Sequence, residues 1–368
     1  MIRRTTLILV IACATLAARA ETPPAPPAAA AAPAVTPAVE WTVRVVGGLT
    51  FGPEWATILT RRGTIFPFAK LGDTLSSPDL TFAFLGGGLG DGGEPFPPIR
   101  EPLRSSRLVA TVLAEAGIDA VSIADHRVMD YQADGLARTR QILGDADVGV
   151  FGAGENDTLA RMYSLHAAGG MSVACLAYLH GVWEQHAGQQ QAGTNPALPS
   201  SVRQDVANAS ASADVVLVFF NWGESGGDVV DGRQRLFGHM AIDGGATAVF
   251  GVKDQTYLGT EVYKGRPIFY SLGDFVRGVR NKRHGKILVP TLVFEDADPV
   301  RVEWLPVATD AILPPGEDPR TSLQPRVLTG AEADEAVATY TALCQDLGTV
   351  IERTADGARL ELATSKGD

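Results

Sequence analysis

A chain of 368 residues, 45% hydrophobic and 20% charged, can bury one large core or two small ones. Its formal net charge of −11 argues against nucleic acid as a partner, because no basic stripe exists to replace phosphate counterions. The same acidity gives no reason to expect adhesion to anionic lipid.

The N-terminus reads as an export signal. Met1 to Arg4 form a short basic start, and Thr5 to Leu16 an apolar run too short for a good membrane span. Ala18-Arg19-Ala20 supplies the small-x-small pattern of a signal-peptidase site, so residues 1–20 are expected to be a signal peptide with Glu21 opening the mature chain. Val10-Ile11-Ala12-Cys13 also reads as a lipobox, which would leave Cys13 lipidated and the protein lipid-anchored; an uncleaved anchor is the third form. Each version exports the protein to the periplasm or beyond. Residues 21–39, rich in Ala and Pro, have little to bury and read as an extended tether.

From Trp41 the chain alternates between strand-like and helix-like segments. Trp41 to Val46 and Leu80 to Leu85 read as strands, and Arg104 to Ala116 as a helix ending at Gly117. Ala120 to Ile123 is a strand, Ala133 to Leu143 a helix, and Val148 to Phe151 a further strand. Met171 to Tyr178 and Val215 to Phe220 are apolar runs of strand length, and a helix over Arg233 to Asp243 precedes a strand over Ala246 to Phe250. Short apolar runs between helices predict an α/β domain with strands buried between layers. Trp183 to Arg203, rich in Gln, Gly, Pro and Ser, reads as an insertion loop. After Gly285, Lys286 to Phe294 and Pro299 to Val307 form a hairpin, Ala331 to Leu347 a helix, and Thr349 to Thr354 with Ala358 to Leu362 a last hairpin turning at Asp356-Gly357. An oxidising compartment permits a Cys175–Cys344 bridge, but two distant cysteines are no disulfide framework, and Cys175 reads as a core thiol.

The most specific signature is Ile268-Phe269-Tyr270-Ser271-Leu272-Gly273-Asp274-Phe275, following Tyr263-Lys264-Gly265-Arg266-Pro267. Upstream, in order, come Val121-Ser122-Ile123-Ala124 with Met129-Asp130-Tyr131, Gly152-Ala153-Gly154-Glu155-Asn156 with Ala160, Trp222-Gly223, and Gln234 with Gly244-Gly245-Ala246. Together these resemble the CapA family of capsule and poly-γ-glutamate proteins over about Val43 to Phe275. The resemblance implies a calcineurin-like metallophosphoesterase fold, a four-layer sandwich of two sheets flanked by helices. It places the domain at residues 40–284, with residues 285–368 completing it as a β-rich tail. It also implies a site at strand ends where Asp, Asn, His and Glu side chains hold metal ions that polarise an oxygen and generate hydroxide.

At that site the chain departs from the family. The family's Gly-Asp after the first strand is Gly47-Gly48 here, its Asn-Leu-Glu is Phe84-Leu85-Gly86, and its Ala-Asn-Asn-His is Ala124-Asp125-His126-Arg127. Its His-Trp-Gly is Asn221-Trp222-Gly223, and its histidine-rich turn is Gly251-Val252-Lys253-Asp254-Gln255. Arg127 and Lys253 put positive charge where a dication would sit, which opposes metal binding. The expectation is therefore a family scaffold with no catalytic residues and no metal. Its candidate pocket comprises Gly48, Gly86, Asp125, His126, Arg127, Asn221, Trp222, Glu224, Lys253 and Asp254. Arg127 and Lys253 would make a cationic pocket for a carboxylate-rich chain such as poly-γ-glutamate, unless they are salt-bridged to Asp125 and Asp254. Such a protein would bind an anionic envelope polymer or join a polymer-synthesis complex. The alternative is a hydrolase using Mn, Fe or Zn, with a site rebuilt from Asp125, His126, Asp130, Glu224 and Asp254. His166, His180, His186, His239 and His284 lack paired ligand spacing and read as structural or exposed. The glycine-dense stretch Leu85 to Gly93 lacks a phosphate-loop ending and reads as a mobile loop.

Overall fold

A computed structural model describes residues 40–97, 99–181, 183–222, 229–253, 256–276, 285–309 and 324–363. The signal peptide, Cys13, the tether, Gly223, Glu224, Asp254 and His284 lie outside the described residues.

The apolar runs assemble into two main sheets. In the first, strand Glu40–Thr50 is central, with Leu80–Gly86, Ala120–Ser122 and Gly149–Phe151 following in parallel on one side. On its other side run the antiparallel strands Lys286–Glu295, Asp298–Ala308, Ala358–Glu361 and Glu352–Arg353, so the C-terminal hairpins extend this sheet. The second sheet has six strands in the order Tyr257–Tyr263, Arg266–Leu272, Ala248–Val252, Val215–Asn221, Met171–Leu179 and Ser164–Ala168. Its inner four are mutually parallel.

Phe82, Phe84 and Phe151 of the first sheet meet Phe219 of the second at ring separations of 6.0, 5.3 and 5.0 Å, and Phe250 and Phe269 extend the shared layer. The outer face of the first sheet is covered by helices Trp55–Arg62, Leu108–Glu115 and Gln132–Gly144, through Trp55, Leu59, Val109, Leu113, Leu136 and Leu143. The outer face of the second is covered by helices Pro199–Ser210 and Gly232–Asp243, through Val202, Val206, Phe237 and Ala241. This is the expected α/β/β/α sandwich with a β-rich C-terminus. Helix Gly330–Gln345 sends Ala333, Ala336, Val337, Tyr340 and Cys344 into the layer between the sheets. There the Tyr340 hydroxyl lies 2.6 Å from Thr260 Oγ1, and its ring stacks on Tyr257.

Several local expectations change. The helix expected from Arg104 begins only at Leu108, because Arg104–Ser105 pairs with Gly88–Leu89 as a short two-stranded sheet. That pairing also fixes the glycine-dense stretch read as a mobile loop. Leu89 N donates to Thr139 Oγ1 at 2.9 Å, and Arg104 lies over the Tyr131 ring at 3.4 Å. The expected insertion loop contains a strand, Gly193–Thr194, paired with Ala153–Gly154, and then runs into helix Pro199–Ser210. The Pro-Ser-Ser start reads as a turn, yet proline suits the first helical position, where its missing N–H has no partner to lose. Cys175 and Cys344 are both buried free thiols rather than a bridge.

The central strand changes partner partway along its length. Glu40 to Arg44 pair with Lys286–Glu295, whereas Gly48 and Leu49 pair in parallel with Asp274–Val276. At the switch Gly48 N donates to Gly273 O at 2.8 Å, and a Cβ on Gly47 would overlap that same carbonyl. Gly47 is thus required by close backbone approach. Gly47→Ala should cost about 2–3 kcal/mol, whereas Gly144→Ala, with open space around its Cβ, should be neutral or stabilising; thermal unfolding of both variants checks this.

Candidate functional site

Ligands of open α/β sheets bind beyond the carboxyl ends of the parallel strands, and here both sheets deliver those ends to one cavity of about 380 Å³. The first sheet contributes Gly48, Thr50, Gly86, Ser122 and Ala124, and the second contributes Leu179, Asn221, Val252 and Gly273. Asp125, His126 and Arg127 follow strand Ala120–Ser122; Lys253 follows Ala248–Val252. Of the residues expected at the pocket, Gly48, Gly86, Asp125, His126, Arg127, Asn221, Trp222 and Lys253 all line this cavity.

Asp125 is the most heavily bonded of them. Its Oδ1 accepts from the Gly87 and Arg127 amides at 3.0 and 2.8 Å, and its Oδ2 accepts from Asn221 Nδ2 at 3.1 Å and lies 3.5 Å from His126 Nδ1. The Asn221 bond ties the two sheets together at the cavity. Burial pushes the Asp125 carboxyl upward, but His126 and the two amides outweigh it and hold the group below the ordinary aspartate value. His126 is half exposed at the rim.

Arg127 does not serve as the expected open cation, and its carboxylate partner is not Asp125. Its Nε donates to Asp130 Oδ2 at 2.6 Å, and its Nη2 donates to the Glu101 carbonyl. Asp130 is fully buried and also accepts from Leu103 N at 2.7 Å; burial raises its pKa despite these bonds. The grouping of Asp130 with Asp125 and His126 is therefore not formed, since Asp130 is committed to Arg127.

Lys253 is 3% exposed. Its backbone is set by Ser271, whose hydroxyl accepts from the amides of Lys253 and Gly273 at 3.0 and 3.3 Å and donates to the Thr256 carbonyl. The serine of the Tyr-Ser-Leu-Gly strand thus shapes two cavity edges at once. Lys253 Nζ donates to Val229 O at 3.4 Å. Trp222 is structural: its indole N–H donates to Tyr270 O at 2.8 Å and its ring stacks on Phe220 at 4.5 Å.

The two glycines leave no holes. A Cβ on Gly48 would meet Asp274 Oδ1 at 3.1 Å, and one on Gly86 would meet Thr50 Oγ1 at 2.6 Å. Asp274 and Thr50 thus fill the room beside them, and both line the cavity. In the sequence Asp274 stood only as part of the Ile268–Phe275 signature, with no role at the site. Sequence reasoning set His180 aside for lacking paired spacing, although the residue follows strand Met171–Leu179 and lines the same cavity. The available signal in both cases was position just beyond a parallel strand.

The resemblance implies metal ions. Among the described residues no three His, Cys, Asp or Glu side chains are grouped to hold one. Asp130 is tied to Arg127, and Lys253 brings a cation to the wall. Among the described residues, this donor set does not fit a metal pair.

Asp125→Asn should cost about 2 kcal/mol at pH 7, because charge-assisted bonds are lost and the new amide faces the Asn221 donor. A depressed carboxyl contributes stability above its unfolded pKa of about 3.9, and that contribution fades as pH falls through the lower folded value. The gap between wild type and variant should therefore shrink below about pH 4, as denaturant titrations at stepped pH would measure.

Residues 42–279 match the family of bacterial capsule synthesis proteins denoted PGA_cap. The chain is 28% identical over 243 residues to the capsule biosynthesis protein CapA of Bacillus anthracis, covering 64% of this chain and 59% of that protein. It is 27% identical over 176 residues to the PGA biosynthesis protein CapA of Bacillus subtilis strain 168, covering 47% of this chain and 46% of the relative. Among solved structures, a hypothetical protein of Thermus thermophilus superposes with a TM-score of 0.46 at 17% identity, covering 73% of this chain and 99% of that one. The chain thus spans about half to three fifths of the length of these two curated relatives. With its family match running from the first strand through the Tyr-Ser-Leu-Gly strand and past the cavity, the chain belongs to the bacterial capsule synthesis protein family PGA_cap.

Proposed function

We propose that this protein serves the synthesis of a capsule or of poly-γ-glutamate at the cell envelope, and that its cavity binds the polymer without cleaving it. The names of its relatives, given to capsule and PGA biosynthesis proteins, support the process. The basic and apolar start of the chain supports export, with or without a lipid at Cys13. The observation that carries polymer binding is Lys253, a buried lysine built into the wall of the cavity at the joined strand ends. Burying an ammonium is costly unless a counter-charge meets it, and a carboxylate of the polymer supplies one. Partnership with the machinery that makes or exports the polymer follows from the same reading.

The competing hydrolase would draw on Asp125, His126, Asp130, Glu224 and Asp254, of which the first three are among the described residues. Asp130's bond to Arg127 speaks against that grouping.

Calorimetry of the purified full chain with a short γ-linked glutamate oligomer tests the proposal. Saturable binding, weakened at least about tenfold in Lys253→Met, is expected, since loss of a charge-assisted contact is worth about 1.5–3 kcal/mol. No binding by the wild type, or release of glutamate from the oligomer in the presence of Mn, Fe or Zn, would contradict it.

A further inference from the structure

The first sheet ends in strands Glu352–Arg353 and Gly149–Phe151, and the second in Tyr257–Tyr263 and Ser164–Ala168. A sheet edge offers unpaired N–H and C=O groups, and folded proteins keep such strands short, charged or covered. Glu352–Arg353 is short and charged, and Gly149–Phe151 has only three residues. Tyr257–Tyr263 is covered: its Thr260 and Val262 amides donate to Cys344 Sγ at 3.4 Å and to Thr349 Oγ1 at 3.2 Å, in and just past helix Gly330–Gln345. Strand Ser164–Ala168 has no such protection. It is five residues long and contains no Lys, Arg, Asp, Glu or Pro. Among the described residues its backbone bonds only to strand Met171–Leu179. The turn closing that hairpin sets which groups face out. Gly169 and Gly170 have φ of +58° and +79°, the two-residue turn that makes Ala168 and Met171 a hydrogen-bonded pair. Alternation from there turns the N–H and C=O of Leu165 and Ala167 to the open edge.

We propose that a second copy of this chain pairs along this edge, strand Ser164–Ala168 against the same strand, antiparallel. The occupant follows from the strand's own register. About a twofold axis at His166, Leu165 stands opposite Ala167 of the second copy, and each such pair exchanges both of its outward main-chain hydrogen bonds. The same register sets each large side chain against a small one. Leu165, 60% exposed, meets an alanine. Met162, 59% exposed, lies toward Gly170, around which a Cβ has open space. His166 turns inward, its ring 5.1 Å from that of Phe82, and burial lowers its pKa, so no pair of like charges meets at the axis at about pH 7. The pairing joins two six-stranded sheets into one. Because the axis reverses strand direction, the two cavities open at opposite ends of the dimer.

Sedimentation equilibrium of the purified full chain, from about 1 μM to about 1 mM, tests the proposal. A reversible monomer–dimer equilibrium is expected. Ala167→Pro removes an outward N–H that the monomer does not use, and with it half of the main-chain bonds across the axis. Association should then weaken at least about tenfold. Leu165→Lys puts a charge on the edge at an exposed position and should weaken association comparably. It keeps the test decisive if the proline variant fails to fold. A wild type that stays monomeric across the range would overturn the proposal and leave the edge to a different occupant. A dimer that persists undiminished in the folded variants would overturn it too, because the interface would then lie elsewhere.

Discussion

The Asp125 carboxylate is the constraint on which the site depends. Two of its contacts, the Gly87 and Arg127 amides, belong to loops of the first sheet, and the third, Asn221, closes strand Val215–Asn221 of the second. One side chain therefore fixes a loop that would otherwise be glycine-loosened, starts the turn that carries His126 and Arg127, and holds two sheets at a set separation across the cavity. The aromatic layer between the sheets fills the space beneath this junction but is non-directional. A partly buried carboxylate with three hydrogen-bond donors is directional, and it explains how glycine-rich edges can surround a defined cavity.

Much of the fold was legible in the sequence. Buried strands such as Val215–Asn221 and Met171–Leu179 announce themselves as continuous apolar runs, because both of their faces are covered. Helix Gly330–Gln345 reads from its small apolar stripe and from Gly348, which takes a positive φ just beyond it. Edge and boundary elements were less legible. Ser164–Ala168 alternates half-buried and exposed residues and pairs on one side only, so it carries little apolar signal. Helix Pro199–Ser210 starts on residues that serve turns equally well.

The site shows the same division. Positions carried by one strand end, Asp125, Asn221 and Lys253, were readable because the family's motifs align there. What they bond was not readable, since Arg127 to Asp130 and Asp125 to Asn221 are choices made by three-dimensional packing. Asp274 shows the limit most clearly. Its role comes from the parallel register that sets it opposite Gly48, across more than two hundred residues of sequence. Gly48 and Asp274 make sense only as a pair: a missing side chain on one strand and a carboxylate on its neighbour filling the same room.

The account's central claim is that a γ-linked glutamate chain is held in this cavity through a carboxylate at Lys253. The most direct measurement is a crystal structure of the full chain with γ-linked triglutamate bound. The account predicts ligand density between the two sheets, with a carboxylate within hydrogen-bond distance of Lys253 Nζ. A ligand bound elsewhere on the surface, or one lying in the cavity with no carboxylate near Lys253, would contradict it.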